Sequence, residues 1–218
     1  ASLDSLGRQL ERTLNTAQEN PLFDIDGDGV IHHGAFYQAS LSLELDGATL
    51  ALALTAPITH SRIRMLNDPE TNGHNAFLAA NTRGSSGLMM VEYVAAGAIA
   101  EIRAAAQPAS GGTLVLSRGA EQDATFASQG ALQLERSVAA YRVLLACEFV
   151  GALRLVRQRG LHERFTGVLG QALALASRLP WNDDDRDLRG DLATAEELLD
   201  DLGRLAADSG SGSADRVF

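Results

Sequence analysis

Acidic and imidazole side chains cluster early in the chain, and the chemistry they could do is metal binding. Asp24-Ile25-Asp26-Gly27-Asp28-Gly29 copies the first half of a calcium loop, which needs a bidentate carboxylate at its twelfth position. The twelfth residue counted from Asp24 is Ala35, so the oxygen cage cannot close. A tight turn accounts for the same residues, since Asp and Gly tolerate unusual backbone angles. His32-His33 could also attract a metal. Neighbours in an extended segment point to opposite faces, and no Cys/His cluster is near in sequence. The pair therefore reads as turn-flanking or inter-subunit polar residues, and no metal site is expected. A nucleophile fares no better. Cys147 is the one cysteine, and Leu144-Leu145-Ala146 and Phe149-Val150 around it mark a packed thiol. With no partner for an internal disulfide, a reducing, cytoplasmic setting is the expectation. Glu92 and Glu101 stand nine residues apart in one helical run. That spacing sends them to different parts of the surface and excludes an acid–base pair.

The elements that must position these side chains are mainly helical. Leu3, Leu6, Leu10 and Leu14 line one face of a helix over residues 3–18, which Pro21 ends. Residues 22–36 alternate short apolar pieces with Gly27-Asp28-Gly29 and predict a hairpin. Residues 41–54 are apolar on most sides, as in a buried helix. Residues 67–86 read as loop around a short helix at 76–80. A second strong helix covers 87–107 and stops at Pro108. Gly111-Gly112 opens a β-like segment at 113–116. Residues 123–158 then run without proline, long enough for a bundle or an intersubunit seam, with Gly160 as the stop. Shorter helices follow near 161–178 and 189–205. Ser209-Gly210-Ser211-Gly212-Ser213 marks a flexible tail.

Short motifs in fixed order carry more than any of these residues singly. They are Glu19-Asn20-Pro21-Leu22, Gly34-Ala35-Phe36, Ser61-Arg62-Ile63, Ser86-Gly87-Leu88-Met89 leading to Glu92 and Glu101, Pro108-Ala109-Ser110, and Glu121-Gln122-Asp123. In order and spacing they resemble the C-terminal half of the aromatic amino acid ammonia-lyases and aminomutases. The resemblance implies a long antiparallel helix bundle with a small hairpin near the N-terminus. It implies one such domain over 1–206 and a tail over 207–218. It also implies Asn20 near the active centre, Phe36 against the substrate ring, Gln122 or Glu121 beside the amine or cofactor, and Arg62 orienting this shell. The family's electrophile is a methylidene-imidazolone (MIO) formed from an internal Ala-Ser-Gly, normally in the N-terminal half. Ala109-Ser110-Gly111 follows a proline at a helix end and resembles the family's His-Pro-Ala-Ser turn instead, so Ser110 is expected to cap or stabilise a turn. Ala35 and Tyr37 stand where the family has Asn and His, and Glu92 replaces a Gln. Asp185-Arg186 and Asp191 resemble a segment of structural role.

The lid tyrosine, the cofactor tripeptide in context and the arginine that grips the substrate carboxylate would all lie upstream of Ala1. The resemblance therefore implies no complete catalytic set within this chain. It implies the C-terminal subunit or fragment of a split or cleaved lyase-like enzyme, eliminating ammonia or shifting an amino group. An N-terminal lyase-like polypeptide would supply the MIO, in a homo- or hetero-oligomeric, tetramer-like assembly acting on an amino-acid-like small molecule. The alternative is a non-catalytic scaffold, or an altered reaction on the same fold. A start at Ala1-Ser2-Leu3-Asp4 suggests a cut, a processing site or a second chain, with no signal peptide. The formal charge of −10 argues against nucleic acid as a partner. No stretch is expected to span a bilayer.

Overall fold

The computed structural model describes residues 1–81, 83–112, 114, 118 and 125–211. The chain divides into two compact units, 1–55 with 101–139 and 56–100 with 140–218. The expected β-like segment at 113–116, apart from residue 114, and most of the tail lie outside the described residues.

In the first unit, α1 runs Ser2–Leu14. It ends before the expected boundary at Pro21. Asn15 Nδ2 donates to the Glu11 carbonyl at 2.7 Å and Thr16 Oγ1 to the Arg12 carbonyl at 2.7 Å. The Thr16 hydroxyl takes the Arg12 carbonyl that its own amide would have bonded in a continuing helix, while that amide turns to the Thr13 carbonyl, so the chain turns out early. The hairpin is as expected: β1 (Leu22–Asp24) pairs antiparallel with β2 (Gly29–Ile31), Phe23 opposite Val30. Asp24 Oδ1 accepts from the Asp26 and Gly27 amides at 3.2 and 3.0 Å. The calcium-like residues thus build an Asx-type turn. Leu6 packs with Leu45 and Ala48, joined by Leu41, Ala127 and Leu134.

Leu45 and Ala48 belong to α2 (Ala39–Asn67), which is twice as long as the 41–54 expected. The extension passes through Pro57, which is exposed and leaves the Ala53 carbonyl without its intrahelical donor. Beyond it, Ala56, Thr59, Ile63 and Asn67 are buried at helical spacing, and this stripe keeps the helix going. The expectation that no stretch could span a bilayer is corrected here. The stretch from Ala35 to Asn67, most of it α2, holds an 18-residue window of mean hydropathy 1.3, long and apolar enough by length and composition. Core helices of globular proteins meet the same description, and Leu45 and Ala48 are buried against protein.

In the second unit, residues 67–86 hold a one-turn helix, α3 (Pro69–Asn72), and a 3₁₀ turn at Ala76–Leu78. Phe77 and Leu78 take left-handed angles, φ 56° and 51°. Such angles cost about 1–3 kcal/mol each and persist where surroundings enforce them. The Leu88 amide enforces this one, donating to the Phe77 carbonyl at 2.7 Å. Gly87, at φ 53°, makes the approach possible: a Cβ there would lie 2.4 Å from that carbonyl oxygen.

The two long helices expected after this point are α4 (Met89–Ala105) and α5 (Ala127–Gln158). α5 ends at a turn where Gly160 takes φ 61° and the Leu161 amide reaches the Val156 carbonyl at 2.9 Å. The expected 161–178 helix is broken into a 3₁₀ turn at His162–Arg164, α6 (Gly167–Leu175) and a second 3₁₀ turn at Ala176–Arg178. Gly167, at φ 62°, interrupts the run. α7 spans Arg189–Ser211, six residues past the expected end. Arg142 ties it to α5, reaching Asp200 Oδ1 at 2.7 Å and the Glu196 carbonyl at 3.0 Å.

Candidate functional site

Asn20 and Phe36 come together at the open end of the hairpin. Asn20 Oδ1 accepts the His33 amide at 3.0 Å. The Ala35 amide lies 3.1 Å from His33 Nδ1 and must donate to it. Nδ1 is therefore unprotonated, and Nε2, 2.5 Å from the Glu19 carbonyl, carries the proton. His33 thus straps the Glu19-Asn20 segment to the turn at Ala35–Tyr37. The turn-flanking role expected of the histidine pair holds for His33, but its grip on Glu19 was not legible in the sequence. Phe36 sits on that turn, 53% exposed. Gln38 closes it, with Nε2 donating to the Ala35 carbonyl at 2.9 Å and to Gln18 Oε1. Beside it opens a polar cleft of about 230 Å³ lined by Arg12, Thr13, Gln18, Tyr37 and Gln38 among others. Tyr37 takes part in the cleft wall at the position where the motif comparison expects His.

Arg62 belongs to the second unit. Its Nε and Nη2 both bond Glu148, Nη2 at 2.8 Å from Oε2, and Nη2 also reaches Thr59 Oγ1 at 3.3 Å. The Glu148 hydrogen bond raises its pKa above the ordinary arginine value. Glu92 is held by Asn67 Nδ2 at 2.9 Å. In the same unit His60, Phe77, Met89, Glu92 and Tyr93 line an open, mainly apolar groove of about 350 Å³. Glu121 and Gln122 lie outside the described residues.

Asp46 was missed at the sequence level. Only 7% exposed, it accepts the Ala109 and Ser110 amides, each at 2.9 Å. The Gly112 amide closes the turn on the Ala109 carbonyl at 3.1 Å. Ala109-Ser110-Gly111 thus lies in a turn whose Ala109 and Ser110 amides and Ala109 carbonyl are engaged. Asp185 is a similar device in the second unit. It accepts from Ser85 Oγ at 2.8 Å and from the Ser86 and Gly87 amides at 2.6 and 2.9 Å. These bonds, the Ser86 amide first, lower its pKa. Arg186 grips Asp191 with both Nη atoms at 2.6 Å, the structural role the resemblance implied. Cys147 is fully buried, and burial pushes its thiol up to about 12. Among the described residues no three His, Cys, Asp or Glu converge as a metal site.

The family model for aromatic amino acid lyases matches residues 1–177. The chain belongs to the aromatic amino acid lyase family. Histidine ammonia-lyase of Stigmatella aurantiaca is 30% identical over 88% of this chain and 38% of its own length. Histidine ammonia-lyase of Myxococcus xanthus is 30% identical over 92% of this chain and 39% of its own. Among solved structures, histidine ammonia-lyase from Trypanosoma cruzi superposes with a TM-score of 0.83 at 25% identity, over 94% of this chain and 40% of that one. A tyrosine aminomutase from Streptomyces globisporus gives 0.86 at 22% identity, over 95% of this chain and 40% of that one. The helical lyase fold is thereby shared, and this family member spans about 40% of the length of the relatives it matches.

Proposed function

We propose that the chain supplies one wall of a lyase or aminomutase active site that an N-terminal lyase-like polypeptide completes. The observation that carries this is a family match over residues 1–177 in a chain that covers about 40% of its relatives, with the Asn20–His33–Ala35 strap formed beside Phe36. Phe36, exposed on its turn, would stack against a substrate ring. Gln122, or Glu121, would stand beside the amine. Asn20 is fixed by its bond to the His33 amide, and Arg62 is fixed by Glu148. Groups held in this way act as preorganised walls. The MIO of the partner would supply the electrophile, and Ser110 stays serine in its turn. The substrate class is an amino acid with a ring side chain.

The test is to express residues 1–218 alone and with the N-terminal partner, and follow α,β-unsaturated acid release from His, Phe and Tyr. A β-amino acid assay reads the aminomutase outcome. Activity is expected from the complex alone, since pocket and electrophile must be aligned to a fraction of an ångström. Activity from the isolated chain, or loss of water at Ala109–Gly111 in its intact mass, would sink the reading. A second reading, a scaffold or altered reaction, draws on Ala35 and Tyr37, which remove two polar contacts from the pocket turn. Silence from an assembled complex over a broad amino-acid panel would favour it.

A further inference from the structure

In the second unit, α5 and the 179–191 segment line a partly open cavity of about 20 Å³, room for a single particle about the size of a water molecule. Arg154, Arg157 and Arg186 line it, against Asp183 and Asp191. The Arg154 side chain is 7% exposed, and its Nε donates to Asp183 Oδ1 at 3.2 Å. Its Nη2 donates to the Asp183 carbonyl. Its Nη1 is buried and has no partner among the described residues. Arg186 spends both Nη atoms on Asp191, which leaves a buried Nε without one. Arg157 bonds main-chain carbonyls: Nη1 reaches Pro180 at 2.6 Å, and Nη2 reaches Ala176 and Leu179 at 3.0 and 3.1 Å. Two nearby carboxylates outside the lining bond other groups, Asp185 to Ser85–Gly87 and Asp187 to Arg189, while Asp185 still attracts Arg154 and Asp187 attracts Arg186 through their charges.

The unmet groups of the lining are guanidinium N–H donors, and a buried charged donor left unmet is costly. A guest that satisfies them must accept from both. Within the lining itself three guanidiniums face two carboxylates, which favours an acceptor that carries negative charge, and the space suits one about the size of a water molecule. We propose that this cavity binds a halide-sized monovalent anion between Arg154 Nη1 and Arg186 Nε. Burial lowers the pKa of Arg157, a sign of a desolvated charge that an anion would relieve. The anion would brace the segment that also presents Asp185 to Ser85–Gly87.

The test uses crystals of the full chain soaked in sodium bromide, with diffraction recorded at the bromine edge. An anomalous peak within hydrogen-bonding reach of Arg154 Nη1 and Arg186 Nε is expected. A peak-free cavity holding water would overturn the proposal. In solution, unfolding is followed in sodium chloride and in sodium gluconate at matched ionic strength. Once chloride exceeds its dissociation constant by about tenfold, each further tenfold rise should raise the folding equilibrium constant nearly tenfold. Gluconate should not do so, and Arg186→Lys, which keeps the charge but removes the Nε donor, should flatten the chloride response. Equal responses to the two salts would count against the site, and the bromide map decides if the variant does not fold.

Discussion

At the scale of single residues, two groups have environments that set their chemistry. The Cys147 thiol, pushed up to about 12, is almost entirely protonated at pH 8. The native chain should therefore resist a disulfide reagent at pH 8 for as long as it stays folded, and react stoichiometrically in denaturant. Rapid native labelling would contradict the packed-thiol assignment. Asp185 runs the opposite way, its pKa lowered from the ordinary 3.8 by the amides and hydroxyl it accepts. A depressed carboxylate contributes stability that is full above its unfolded value and fades as pH falls through its folded one. Urea midpoints of the native chain and Asp185→Asn should differ by a constant amount near neutrality. The gap should close below about pH 4. A pH-independent gap would mean that the carboxylate's charge is irrelevant.

At the scale of elements, local patterns were legible wherever neighbours in sequence decide the outcome. Gly27-Asp28-Gly29 marked the hairpin because the turn is built within four residues. The proline-free run marked α5 because its stripe repeats along its own length. α2 was cut short because Pro57 reads as a stop, while the buried stripe that overrides it, Ala56 to Asn67, depends on packing. The partners of Asp46 and Asp185 were out of reach. They stand 63 and about 100 residues away, and no local periodicity encodes such distances. At the candidate site, Asn20 and Phe36 could be placed from motif order, but the His33 bonds that hold them could not. The 77–88 junction offers a test at this scale. Gly87→Ala should cost about 2–3 kcal/mol, since the added Cβ meets main chain that cannot yield. Denaturant unfolding measures it, and a loss below the error of the midpoint would show that the turn can relax.

At the scale of the molecule, apolar side chains remain on the outside. Leu43, Leu50 and Leu54 on α2 are 62%, 41% and 75% exposed, and Met90 and Tyr93 on α4 are 60% and 65%. Isolated apolar residues on a surface need no explanation, but a row along one helix marks a contact face. The chain should therefore associate at micromolar concentration when expressed alone, and its mass by light scattering should exceed 23.1 kDa. A clean monomer at every concentration would show that the exposed rows need no cover. The circular dichroism spectrum should be helical in either case.

Ser42 and Asp46 stand one turn apart on α2, about 6 Å along its axis. Asp46 holds the amides of Ala109 and Ser110, and Ser42 Oγ holds the Thr125 carbonyl at 2.8 Å. The described residues on either side of Glu121 and Gln122 are therefore held at neighbouring points of the helix, like the two arms of a chelate. In a chelate each arm raises the local concentration of the other. Ser42→Ala and Asp46→Ala should then be non-additive, with a coupling of about 0.5–3 kcal/mol in a double-mutant cycle on stability. With both arms cut, the chain between them keeps its sequence and loses its two anchors, and the loop-closing entropy they offset returns in full.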